Sequence, residues 1–277
     1  MPTIKKLCLS LNQKINVVTQ HPRLFINNPY VNEIFDLKTF DLNTQKGNDY
    51  FFKPYGDEVG WHFWFTLNNR QAIANGCRMS LLPHEEEIEF YPQGHAFSFL
   101  PDKYICLNAS IRGVDRDFGK DNWQKLVNIL NENDIPVIVE GPLENTHDLK
   151  IRNGLNLIGK TSSLSETWHV INRSTAFVSF DTGMYILAGS TQTQIFLINT
   201  YFEDYWHRPS RKGSYDYKFS LIKGKCEEKC MSNFKFYKTD MGLYQFEVQT
   251  CPLKINFKCI PSVETTAENI INYWKTV

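Results

Sequence analysis

Residues 176–199, AFVSFDTGMYILAGSTQTQIFLIN, constrain the fold more than any other stretch. An apolar run over 176–180 stops at Asp181-Thr182-Gly183. A helix-compatible segment covers 184–189, and a second apolar run covers 194–199. Strand, turn, helix, strand is the repeating unit of a parallel sheet. The turn falls at the carboxyl end of the first strand, the edge where open parallel sheets bind ligands. Gly183 lets a ligand approach the backbone, and the helix start offers N–H groups to an anion. The plainer reading is that any such unit needs a turn and glycine suits it.

The alternation extends upstream. YICLN (104–108) reads as a strand. Trp123, Leu126, Val127 and Leu130 recur at helical spacing within a predicted helix over 122–130. PVIVEG (136–141) predicts a strand and loop, 144–152 a helix, and LNLIG (155–159) a short strand. Ser163 and Glu166 form a capping box that opens a helix over 164–172, with Leu164, Trp168 and Ile171 on one face. Five strands alternating with helices predict a parallel, doubly wound α/β sheet. Beyond Thr200 the pattern breaks: 201–217 is aromatic, charged and loop-like, and Ala267, Ile270, Ile271 and Trp274 mark a last helix over 265–275.

The first hundred residues are less regular. Pro2, Leu7 and Leu11 suit a short helix over 2–14, INVVT (15–19) reads as a buried strand, and 33–37 as a short one. Pro22, Asn27, Asn28 and Pro29 punctuate the turn between them. A helix is expected over 61–75, ending at Gly76, and 81–90 reads as an edge or connector. A helix that feeds the first strand is an odd start for an α/β domain, so a first strand is expected to be missing before Met1. With the boundary placed near Gly94 and Pro101, the expected domains are 1–100 and 101–277.

Composition narrows the class. Thirty basic residues balance thirty acidic ones, which argues against a broad nucleic-acid face. No apolar run reaches the roughly 18 residues of a membrane span, and residues 1–14 lack a signal-peptide core. The expected compartment is the cytoplasm. Cys8, Cys77 and Cys106 lie in apolar contexts and read as buried thiols.

Three loops join the 181–183 turn at the same sheet edge. After YICLN, Ser110, Arg112 and Arg116 precede a helix, an arrangement suited to phosphate or to a solvated charged loop. After PVIVE, Glu144 suits a ribose hydroxyl or, equally, the start of a helix. Gly154 stands ahead of Gly159-Lys160-Thr161 at the spacing of a nucleotide-triphosphate loop, but the LNLI between them reads as a strand rather than a loop, and no G-x-G-x-x-G is present, so neither a P-loop enzyme nor a dinucleotide oxidoreductase is expected. Together the loops suit a nucleoside diphosphate.

Residues 104–200 resemble glycosyltransferase family 9, the ADP-heptose:lipopolysaccharide heptosyltransferases. The resemblance rests on the motifs NAS (108–110), RDFGKDNW (116–123), EGPLE (140–144), LIGKTSSLSE (157–166) and SFDTG (179–183). Residues 15–37 are similar more weakly. The resemblance implies a GT-B fold of two Rossmann-like domains, the N-terminal one abbreviated here. It implies inverting transfer of a heptose-like sugar from an ADP-sugar to a glycan or protein, with no cofactor for the transfer itself. Ser110 and Arg116 would contact the diphosphate, Glu144 the ribose, and Asp181, Thr182, Gly183 and Met184 the diphosphate and sugar. Ile186 stands where the family has His, and Phe118-Gly119 where it has Trp-Pro. The family's Gly-Asp loop, which supplies its base, would lie before Met1. The alternative is therefore a relative that binds nucleotide sugars without turnover.

Cys226, Cys230, Cys251 and Cys259 are spaced C-x3-C and C-x7-C, twenty residues apart. Four thiolates would make a tetrahedral zinc or iron site; the alternatives are buried thiols or a disulfide. One branch of the resembling family binds iron.

Overall fold

The structure is a computed structural model that describes residues 2–41, 80–82, 85–94, 97–111, 117–198, 208–211, 217–225, 236–238, 244–246 and 259–277. The predicted helix over 61–75 lies outside them. The chain packs as two units, one of Met1–Gln93 with Tyr205–Lys212 and one of Gly94–Asp204 with Gly213–Val277.

In the first unit, α1 (Pro2–Leu11) leads into β1 (Ile15–Thr19), which pairs in parallel with β2 (Val31–Asp36). Between the strands, Pro22–Leu24 form a 3-10 turn that proline pre-sets. The Asn28 side chain accepts from the Tyr30 amide at 3.0 Å and shapes the entry to β2. Lys5 and Lys6 on α1 pair with Glu89 (2.6 Å) and Glu85 (2.5 Å). The segment around Glu85–Glu89 is therefore a connector rather than a strand.

The second unit is a six-stranded parallel sheet in the order β5-β4-β3-β6-β7-β8. Its strands are β3 (Ile105–Asn108), β4 (Val137–Val139), β5 (Gly154–Asn156), β6 (Ala176–Ser179), β7 (Gln194–Ile198) and β8 (Phe219–Ile222). Every residue of β3, β4, β6 and β7 is buried, as expected of central strands covered on both faces. A short antiparallel pair, β9 (Phe236–Lys238) with β10 (Tyr244–Phe246), lies apart from this sheet.

Side-chain alternation divides the two layers. On one face Ile105, Leu107, Val137, Val139, Val178, Phe196 and Ile198 join Trp123, Leu126, Val127 and Leu130 of α2 (Lys120–Glu132). The same cluster takes in Val263, Ala267 and Ile270 of α5 (Val263–Trp274). Each fully buried aliphatic or aromatic side chain there contributes roughly 1.5–3 kcal/mol. The alternate strand positions, Cys106, Ile138, Phe177, Ile195 and Leu197, face the opposite layer. That layer holds α3 (Leu164–Arg173) and α4 (Gly183–Gly189), which pack on each other.

The cap of α3 forms as expected. Ser163 Oγ accepts from the Glu166 amide at 3.2 Å, and Glu166 reaches back to the Ser162 amide and, at 2.8 Å, to its hydroxyl.

Three expectations are corrected. The helix over 144–152 does not form: only Leu143–Asn145 make a 3-10 turn, and Thr146 then bridges antiparallel to Ser110. Amides of Ile111 and His147 bond to Asn145 and Ala109 carbonyls, both at 2.8 Å, so pairing with the β3 extension replaces helical bonds. The buried face of α3 is Thr167, Val170 and Ile171; Trp168 sits at the rim, its Nε1 donating to Ser190 Oγ at 3.0 Å. The five strands read from the sequence become six, because Phe219–Ile222, just past the loop-like 201–217, pairs beside β7.

Candidate functional site

The carboxyl ends of β3, β4 and β6 are tied together by one side chain, Asn108. Its Nδ2 donates to the Glu140 carbonyl at 3.0 Å. Its Oδ1 accepts from Thr182 Oγ1 at 3.2 Å and from Ser179 Oγ at 3.4 Å. Asn108 and Ser179 are register partners at the last rung of the β3–β6 ladder. Thr182 is also the N-cap of α4 and accepts from the Tyr185 amide at 3.3 Å. The turn that follows β6 is thereby fixed to the two strands on its far side.

The expected donor residues fall on this edge. Thr182 is buried and spent on the Asn108 network, Asp181 and Met184 are half-buried, and Gly183 is exposed with open space where a side chain would stand. Ser110 is buried, and its hydroxyl has no hydrogen-bond partner among the described residues. Glu144 is exposed in the Leu143–Asn145 turn, two residues before the Thr146 bridge to Ser110. Ile186 is exposed on α4. Arg116 lies outside the described residues, as do Cys226, Cys230 and Cys251. Cys259 is buried beside the start of α5, its carbonyl accepting from Gly224 at 2.9 Å. Among the described residues no group of three or more His, Cys, Asp or Glu is arranged to hold a metal.

Several groups went unassigned in the sequence. Glu140, the last residue of PVIVE, is 1% exposed. Its Oε1 accepts from Thr161 Oγ1 at 2.7 Å and Thr167 Oγ1 at 2.9 Å, while Oε2 is buried without a hydrogen-bond partner among the described residues. Burial pushes this carboxyl up to about 7 against the three donors around it, the two threonines and the Gly141 amide. The signal was visible as a charge closing an apolar run. Gly141 (φ +152) leaves no room for a side chain, since a Cβ would stand 2.4 Å from Thr146 Oγ1 and 2.7 Å from Asn108 Nδ2. His147 Nε2 lies 2.9 Å from Asp117 Oδ1, which also accepts from the Gly119 amide at 2.7 Å, ahead of α2.

A doubly wound parallel sheet with its polar network gathered at the carboxyl edge is a Rossmann-like architecture, and the fold is of the GT-B glycosyltransferase type. Residues 72–201 match the sequence model of glycosyltransferase family 9 (heptosyltransferase), and across them the chain is glycosyltransferase family 9-like. No curated protein matches the chain in sequence. Solved structures match in fold. The iron-containing dodecameric glycosyltransferase TibC from enterotoxigenic E. coli H10407 has a TM-score of 0.67 at 12% identity, covering 100% of this chain and 72% of that one. A glycosyltransferase family 9 structure from Veillonella parvula DSM 2008 has 0.59 at 10%, with 80% of each covered. E. coli ADP-heptose lps heptosyltransferase II has 0.51 at 12%, with 100% and 95% covered. No described helix is long and apolar enough to cross a membrane.

Proposed function

We propose that the protein transfers a heptose-like sugar from a nucleoside diphosphate sugar to a glycan or protein acceptor, with inversion. The observation that carries this reading is the Asn108 network, which fixes the family's Ser-x-Asp-Thr-Gly turn against the β3 and β4 ends in a segment that matches the family. In this reading Ser110 and Arg116 hold the diphosphate and Glu144 the ribose. Asp181 and the 182–184 backbone meet the diphosphate and sugar. An ADP-sugar is the favoured donor, because a TibC structure is described in complex with ADP-D-beta-D-heptose.

Inverting transfer needs a base on the acceptor hydroxyl and stabilisation of the departing diphosphate. Arg116 and the amides at 182–184 supply the second, while the base is unassigned. Transfer itself needs no cofactor. The four late cysteines are proposed as a structural zinc or iron site, and metal analysis of the purified protein tests that directly. The reaction is placed in the cytoplasm.

The second reading, a nucleotide-sugar-binding relative without turnover, is favoured by Ile186 at the family's His position. A transfer and donor-hydrolysis assay across several nucleotide sugars separates the two. Release of nucleoside diphosphate supports transfer, and saturable binding without release supports the second reading.

A further inference from the structure

We infer that Glu140 is a positioning residue for the carboxyl edge of the sheet, and that its proton sets how firmly that edge is held. The backbone of Glu140 is anchored on both sides: its amide donates to the Leu107 carbonyl at 2.9 Å and its carbonyl accepts from Asn108. Its side chain reaches the opposite way, to Thr161 just before α3 and Thr167 within it, and Thr167 in turn bonds Thr161 at 3.0 Å. One residue therefore joins α3 to the Asn108–Thr182 network. Gly141 leaves that joint no room for a side chain, because a Cβ there would run into Thr146 Oγ1 and Asn108 Nδ2.

The neutral carboxyl suits this place. Ionisation would put charge on a carboxyl whose Oε2 is buried without a hydrogen-bond partner among the described residues. The titratable groups that face it, Glu166 on α3 and Cys106 on β3, both interact unfavourably with a negative charge there. Ionised Glu140 has to find a donor or water by leaving its present position, and the strand ends move with it. With a held pKa of about 7 and an ordinary value of 4.5 once released, release is disfavoured most below pH 4.5. It rises as pH climbs to about 7 and then levels off.

Amide hydrogen exchange tests this, corrected for the intrinsic pH dependence of exchange. Protection at Gly141, Gly159 (whose amide donates to the Gly141 carbonyl) and Tyr185 should fall by up to about tenfold per pH unit between about pH 5 and about pH 7, then level. Glu140→Gln, which keeps the shape without the charge, should remove the slope. A flat wild-type profile, or an equal slope in Glu140→Gln, overturns the inference. A carbon-13 carboxyl titration of the unmodified protein supplies a check that no variant's folding can confound. One carboxyl should titrate near 7, and none titrating above about 5.5 overturns it.

The consequence for ligand rests on the proposed donor site. ADP affinity should weaken over the same pH window in the wild type and not in Glu140→Gln. If ADP fails to bind at any pH while exchange follows Glu140, the donor reading falls and the positioning role stands. If ADP binds with the same pH slope in both proteins, the positioning role falls and the donor reading stands.

Discussion

Asn108 Oδ1 accepts a hydrogen bond from Thr182 Oγ1 at 3.2 Å across 74 residues of sequence. With the amide of the same side chain bound to the Glu140 carbonyl, this contact makes the end of β3 the tie between its two neighbours. Asn108→Ala leaves buried polar groups on both sides without that partner and is expected to cost about 1–3 kcal/mol in denaturant unfolding. By contrast, Thr146→Val removes a buried hydroxyl that has no hydrogen-bond partner among the described residues. It should leave stability unchanged or slightly raised, which the same measurement reads.

Asp181→Ala and Arg116→Ala address the donor reading. Arg116→Ala is expected to weaken ADP binding, and Asp181→Ala the binding of an ADP-sugar whose hydroxyls the carboxylate accepts from, each by roughly tenfold, the loss of about one charge-assisted hydrogen bond, while circular dichroism and melting temperature stay near wild type. Calorimetry with ADP and with an ADP-sugar gives the numbers. Unchanged affinity in both variants removes the donor assignment.

Gly154 opens β5 at φ +136, and a Cβ there would stand 1.8 Å from the Val137 carbonyl oxygen on the neighbouring strand. Gly154→Ala should therefore cost more than about 3 kcal/mol, from backbone strain and overpacking together, and lower soluble yield. Gly141→Ala should act in the same direction, through Thr146 and Asn108.

Glu166 gives a pH-dependent contribution of opposite sign to that of Glu140. Hydrogen bonds from the Ser162 amide, then its hydroxyl, hold the Glu166 carboxyl below its ordinary 4.5. Its stabilisation is present above pH 4.5 and is lost as pH falls through the lowered folded value. Glu166→Gln should flatten the acid limb of the melting-temperature profile, and Ser163→Ala should cost about 1 kcal/mol by removing the cap.

The elements legible in the sequence are those whose signal is local. ICLN, VIV, AFVS and QIFLI are apolar runs too short for helices, and all four are central strands. Ser163 with Glu166 marks the start of α3 because both partners of the cap lie within one turn. Phe219–Ile222 escaped notice because four residues in a polar neighbourhood become a strand only when β7 offers its edge. Residues 144–152 looked helical, yet Ile111 and Ala109 capture Asn145 and His147 from 34 and 38 residues away. A propensity worth tenths of a kcal/mol per residue yields to such bonds. The Trp168 position on α3 failed for the same reason, since periodicity finds a face but the packing partner decides which edge of it is covered.

Local chemistry thus settled the strand-turn-helix-strand order and put Ser110, Glu144 and Asp181-Thr182-Gly183 at strand ends, because chain order and side-chain period dictate where a parallel unit turns. Only the tertiary structure joined those ends. The Asn108 amide and the Glu140 carboxyl act through partners distant in the chain, and a hydrogen bond or a burial cost exists only once the sheet has brought its neighbours together.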